Sequence, residues 1–276
     1  MNFLTQLYQK AQKQGTSFTA LDAMKLFAII NMTADHIGAY MFPEAEWWRA
    51  IGRITFPVWF FLVGYSQSRT IGRKLVIYAL ILMAIHPLME YALFPTNALV
   101  TIIICRLALN YFSDHGWLPK RIPEVIVLCI TFSFITLPLF EYGSTAVLYA
   151  VFGRMVRLNE KQHFNALVVC CYVLFIGWQF VVGDYDIYQS IYIVLGTAWV
   201  VGWLAKCPNT VIWQDWASSK WKSGITILSR NTLPYYFYHR ALFQFIGALI
   251  LGKTLGFTWI WLDWDDSAAA TDPAQR

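Results

Sequence analysis

The feature that most constrains this chain is a succession of apolar runs, each close to the length of a bilayer-spanning helix. At about 1.5 Å of rise per residue, a helix needs roughly 17–25 apolar residues to cross a hydrocarbon core. Such runs lie at 21–41, 50–68, 75–94, 97–113, 122–138, 141–157, 164–182, 187–205 and 231–252. They predict an all-α fold, a polytopic membrane helical bundle of about nine transmembrane helices. Composition points the same way. Of 276 residues, 58% are hydrophobic and 13% charged, against about 25% charged in an ordinary soluble domain. That balance excludes a typical soluble enzyme and a disordered chain. The net charge of +5 is scattered in small clusters, without the basic stripe of a nucleic-acid binder. The expected organisation is an interfacial segment over 1–20, a transmembrane domain over 21–262 and a polar tail over 263–276.

Basic residues set the orientation, because cytoplasmic loops collect Lys and Arg. With the N-terminus inside, the connectors at 1–20, 69–74, 106–121, 154–163 and 206–224 hold 14 of the 21 Lys and Arg residues, and the outer segments hold 3. The outer segments carry acids instead, including Glu44, Glu46, Glu141, Asp184 and Asp186. The prediction is N-terminus in and C-terminus out, with an additional re-entrant piece open at 224–234. Transporters are commonly built from repeated halves, and no duplicated motif occurs here. The five cysteines form no CxxC or Cys/His metal spacing, so they are expected to pack as small apolar residues and no metal site is expected.

Function is sought among the charges inside or bordering the runs, since a charge in a membrane helix is costly and normally faces the bundle interior. The first run carries Asp22, Lys25, Asp35 and His36. Asp22, Lys25, Ile29, Met32 and His36 follow one helix face. Asp35 and His36 point about 100° apart, so Asp35 needs a partner from another helix. Arg53, at similar depth in the second run, is the expected counter-charge, as a structural ion pair, as part of an active site, or as both. His86 and Glu90, at i and i+4 around Pro87, are either a second acid–base pair or a packing pair. His239 and Arg240 sit in the aromatic segment Tyr235–Arg240, with Tyr238 adjacent, and Glu141 lies before the sixth run.

Two segments carry a resemblance. Met24-Lys25-Leu26-Phe27-Ala28-Ile29-Ile30-Asn31-Met32-Thr33-Ala34-Asp35-His36-Ile37-Gly38-Ala39 ends in DHIGA. Ile51-Gly52-Arg53-Ile54-Thr55-Phe56-Pro57 follows, then Phe60-Phe61-Leu62-Val63-Gly64. Together they resemble the TraX family. Asn97 with Thr101, Glu141-Tyr142-Gly143 and Phe237-Tyr238-His239 fit later marks of that family more loosely.

The resemblance implies an integral protein of the bacterial inner membrane that takes part in conjugation. It implies acetyl transfer from cytoplasmic acetyl-CoA to an acceptor on the outer side, the N-terminal amine of a pilin subunit. The family is similar to a wider group of transmembrane acyltransferases. An O-acyltransferase for an envelope glycan and a non-catalytic accessory of pilus assembly are the alternatives. The residue chemistry is consistent with acyl transfer. His36 suits a general base, because its unperturbed pKa is near 6.5. Asp35 and Arg53 would support it, with Arg53 also placed to stabilise an oxyanion. His86, Glu90, Glu141, Tyr238, His239 and Arg240 are candidate substrate or supporting residues. Lys25, Arg69, Arg73, Lys74, Arg106, Arg154 and Arg157 are candidate ligands for the phosphates of acetyl-CoA. The same cations also serve as topology determinants, and the sequence leaves both readings open.

Overall fold

The computed structural model describes residues 17–66, 70–89, 91–206, 210–214 and 220–250. Along these run β1 (Phe18–Thr19), α1 (Ala20–Met41), α2 (Glu46–Arg53), α3 (Phe56–Tyr65), α4 (Arg73–Leu88), α5 (Ala98–Asp114), α6 (Ile122–Thr136), α7 (Gly143–Leu158), α8 (Phe164–Val182), α9 (Ile187–Ala205), β2 (Val211–Trp213), α10 (Lys220–Arg230) and α11 (Thr232–Ile250). The described residues are thus all-helical apart from one short antiparallel strand pair, in which Phe18 faces Trp213. The segments expected at 1–20 and 263–276 lie largely or wholly outside the described residues.

Eight of the nine apolar runs form one helix each, and the second does not. It breaks at Ile54–Thr55 into α2 and α3. Pro57 is the cause: it has no N–H to return to the carbonyl of Arg53, and its ring crowds that carbonyl. Pro57 instead occupies the first turn of the restarted helix α3, where a missing N–H costs nothing. The region left open as re-entrant holds a separate helix, α10, before α11 begins at Thr232.

Helix α7 is the central post. All its residues from Gly143 to Gly153, and Met155, are buried. Small residues allow this, since they let neighbouring backbones approach closely. Where α3 crosses α7, a Cβ on Gly64 would collide with the carbonyl of Ala150, and one on Gly153 with the carbonyl of Phe61. Aromatic rings fill the space beside the crossing, with Phe56 stacked on Phe175 at 4.8 Å.

The surface is apolar where that of a soluble protein would be polar. Phe134 is 77% exposed, Val181 71% and Leu195 63%, while Asp22, His36, His239, Arg240 and Gln244 are all buried. Helices α8 and α9 are long and apolar enough to cross a membrane, and only 22% and 33% of their apolar stretches are buried in the bundle. The core helix of a soluble protein would be mostly covered.

Helices α1 and α11 run parallel, and successive cross-links fix their register. Thr33 Oγ1 meets Tyr235 Oη at 2.7 Å, His36 meets His239 at 2.7 Å, and Gln244 Nε2 donates to Tyr40 Oη at 3.2 Å. At the start of α1, Thr19 and Asp22 form a capping box, which satisfies backbone donors that a helix start leaves free. Asp22 also accepts from Ser229 Oγ at 3.2 Å and pairs with Arg230 at 3.4 Å. It is therefore an anchor between α1 and α10.

Candidate functional site

A cavity of about 700 Å³ is enclosed chiefly by α1, α3, α4, α5 and α11, within the range of small-molecule sites. Lys25, Met32, Asp35 and His36 line it along α1. From Lys25 to His36 is about 16 Å of helix. At the Lys25 end stand Lys74, Arg106 and Arg157, and at the His36 end stand Asp35, Glu141, Tyr142 and Tyr236. The cavity therefore joins a basic mouth to His36, with Asp35 and Glu141 also in its lining.

Asp35 is held by helix α2. Gly52 packs directly on it, and a Cβ there would overlap the Asp35 side chain. Arg49 Nη1 lies 3.0 Å from Asp35 Oδ1 and donates to the Asp35 carbonyl at 3.4 Å. The expected Asp35–Arg53 pair does not form. Arg53 donates through Nε to Tyr185 Oη at 2.8 Å and through Nη1 to Tyr142 Oη at 3.4 Å, and it does not line the cavity. The reason is depth along the helix and not its face, since residues four apart point nearly the same way. Arg49 and Arg53 lie one turn apart on α2, and the turn at Arg49 is the one level with Asp35.

Glu141 and Tyr142 are presented by a pinned loop. Thr96 N donates to the Leu139 carbonyl at 3.0 Å and Glu141 N to the Thr96 carbonyl at 3.2 Å. Thr101 Oγ1 donates to the Glu141 carbonyl at 3.0 Å. Tyr142 then takes a left-handed conformation, with φ of 68°. For a non-glycine residue this costs of order 1–3 kcal/mol and persists only where the surroundings impose it.

Arg240 organises the buried side of the site. Its Nη1 donates to Glu141 Oε2 at 3.2 Å and to the Tyr236 hydroxyl, and its Nη2 donates to His86 Nε2 at 3.3 Å. His86 Nδ1 is 2.8 Å from the Leu82 carbonyl, which can only accept. His86 therefore carries its proton on Nδ1 and accepts at Nε2, from Arg240 and from Gln244 Nε2 at 3.0 Å. His86 is thus committed to the network on the Arg240 side. Its expected partner Glu90 lies outside the described residues.

Other expectations divide. Of the seven cations proposed for acetyl-CoA, Lys25, Lys74, Arg106 and Arg157 line the cavity. Arg73 and Arg154 are not part of its lining, and Arg69 lies outside the described residues. Arg157 stacks over Tyr65 at 5.4 Å, and Arg106 donates to the Thr70 carbonyl. Tyr238 is 63% exposed on the outer face of α11, one position out of phase with the buried stripe of Tyr236, His239, Arg240 and Gln244. Sequence reasoning missed Arg49, Tyr142, Tyr236 and Gln244 as individual residues. The spacing 236, 240, 244 was a usable signal, three polar groups on one face of an otherwise apolar helix.

The family model described as TraX protein matches residues 20–214, most of the chain. The chain belongs to the TraX family. Asp35, His36, Arg53 and Glu141 lie within the TraX match, and helix α11 with His239 and Arg240 lies beyond it. A curated relative of this TraX-family chain, uncharacterized protein RP591 of Rickettsia prowazekii (strain Madrid E), is 30% identical over 154 residues. The aligned part is 55% of this chain and 60% of that relative's length. No solved structure matches.

Proposed function

We propose that the protein is an integral membrane acetyltransferase that moves an acetyl group from acetyl-CoA, bound from the cytoplasmic side, to an amine on the outer side, the N-terminal amine of a pilin subunit. The carrying observation is the single cavity that connects Lys25, Lys74, Arg106 and Arg157 to His36. The exposed apolar faces of α8 and α9 support a lipid surrounding. The basic mouth supports an N-in orientation, because cations collect on the cytoplasmic face. With α11 parallel to α1, that orientation puts the end of α11 outside.

The donor fits the residues present. Four cations at the mouth are suited to its phosphates, and the roughly 16 Å from Lys25 to His36 suits an extended pantetheine arm. When bound, the donor supplies a thioester as the acyl source. His36 removes a proton from the acceptor amine as nitrogen attacks the acetyl carbonyl, so the C–N bond forms, the C–S bond breaks, and His36 returns the proton to the departing thiolate. No net proton is consumed. Asp35 and Glu141, each backed by an arginine, hold and orient the amine by accepting its N–H groups. Holding two groups in attack geometry contributes as much as the base itself.

The experiment is incubation of the purified protein in lipid with labelled acetyl-CoA and three acceptors: a pilin-like peptide with a free N-terminus, the same peptide blocked, and an envelope glycan. Label on the free peptide alone is the expected result. Label on the glycan alone replaces the amine reading with O-acyl transfer, and label on neither refutes acetyl transfer to these classes.

A further inference from the structure

We infer that His239 is a positioning residue that holds His36 in the tautomer whose Nε2 is free to accept a proton. The inference rests on the reading of His36 as the base and adds to it a specific protonation pattern.

The pattern follows from one backbone carbonyl. His239 Nδ1 lies 2.7 Å from the carbonyl oxygen of Tyr235. A carbonyl only accepts, so the proton of His239 sits on Nδ1. In a neutral imidazole the other nitrogen is then an acceptor. That nitrogen, His239 Nε2, lies 2.7 Å from His36 Nδ1, so His36 donates through Nδ1 and its own Nε2 keeps the lone pair. The two ring planes lie within 18° of each other with centroids 4.8 Å apart. Bonded nitrogens at that centroid spacing point at one another in nearly a common plane, the arrangement of an N–H···N bond and not of face-to-face stacking. His36 lines the cavity and His239 does not, so the free nitrogen belongs to the ring on the cavity side.

The anchor is a main-chain group of α11, which cannot reorient without unwinding the helix. Asp35 cannot take the same role, since its carboxylate is engaged with Arg49 on α2. The pair also limits its own charge. With both rings protonated, two N–H groups would face each other at 2.7 Å, so the pair holds at most one added proton. When His36 Nε2 takes the proton of the acceptor amine, that single charge is shared across the Nδ1···Nε2 bond. It leaves again from Nε2 to the thiolate.

The test joins ¹⁵N-histidine NMR of the full chain in lipid with transfer kinetics. His36→Ala assigns the His36 signals. In the wild type, His36 is expected to show a protonated Nδ1 and an unprotonated Nε2. His239→Gln offers an amide oxygen in place of Nε2 and is expected to keep that signature and most of the kcat. His239→Met offers only a thioether sulfur, a weak acceptor. It is expected to shift His36 toward the Nε2–H form and to lower kcat about 10–100-fold, the usual cost of losing a group that orients a functional imidazole, with KM for acetyl-CoA unchanged. A protonated Nε2 on His36 in the wild type overturns the inference. So does a His239→Met protein with wild-type kcat alongside an inactive His36→Ala, which leaves the base assignment intact. Full activity in His36→Ala removes the base assignment itself, and the inference with it.

Discussion

Arg49 Nη1 sits 3.0 Å from Asp35 Oδ1, while Arg53, one turn further along the same helix, gives its guanidinium to Tyr185 and Tyr142. The two arginines therefore hold different things. Arg49 holds a carboxylate that lines the cavity, and Arg53 holds a loop tyrosine that lines it. A double-mutant cycle on thermal stability in detergent should separate them. Asp35 and Arg49 are expected to couple by about 0.5–1 kcal/mol, the scale for a pair that keeps partial exposure. Asp35 and Arg53, which make no direct pair, are expected to couple more weakly. Stronger coupling of Asp35 to Arg53 than to Arg49 contradicts the described geometry.

The Arg240 network should respond as a unit. Arg240 and Glu141 are 3.2 Å apart with side chains 8% and 26% exposed, and the same guanidinium serves His86 and Tyr236. Arg240→Met leaves Glu141 and His86 without that donor. A loss of about 3–5 kcal/mol is the scale for breaking a buried pair from one side. Adding Glu141→Gln should recover part of it. A double variant less stable than Arg240→Met alone counts against the network.

The α3–α7 crossing should tolerate no side chain. Gly153→Ala pushes a methyl into the Phe61 carbonyl, and backbone cannot step aside as a rotamer does. A loss of about 1–3 kcal/mol is expected from such overpacking, with Gly153→Val worse. Gly177→Ala is the control, since nothing lies near its missing Cβ and alanine favours helix. Equal thermal shifts for Gly153→Ala and Gly177→Ala would count against the close approach.

Much of this arrangement was legible in the sequence for physical reasons. Apolar run length placed seven of the helices within about two residues at each end, while α4 stops at Leu88, well short of the run to 94; apolar run length and helix length are local properties. The stripe of Lys25, Met32 and His36 was readable because helical period is fixed. Pairing across helices was not. Choosing Arg49 over Arg53 for Asp35 requires the relative depth and rotation of α1 and α2, set by the Gly52 contact and by the helix break at Pro57. His36 meeting His239 depends on α1 and α11 lying side by side, far apart in sequence and joined only by tertiary packing. The pinned Tyr142 loop depends likewise on Thr96 and Thr101 from another connection.

The basic mouth gives a graded prediction for donor affinity. Arg157→Ala and Arg106→Ala, both lining the cavity, should raise KM for acetyl-CoA by about tenfold each. That is roughly 1.4 kcal/mol, within the range of a hydrogen bond to a charged group. Arg73→Ala, outside the lining, should leave KM within about twofold. A matching rise for Arg73→Ala, measured in the same transfer assay, points to a general effect of positive charge at the membrane face instead of a binding site.

The central claim is that His36 is the base of an acetyl transfer, and the most direct measurement is the single-turnover rate for wild type and His36→Ala in lipid, with labelled acetyl-CoA and a free-amine peptide. Base catalysis contributes about 10²–10⁴-fold. A loss of that size is expected in His36→Ala, with acetyl-CoA binding by the same preparation unchanged. A His36→Ala protein that transfers label at the wild-type rate contradicts it.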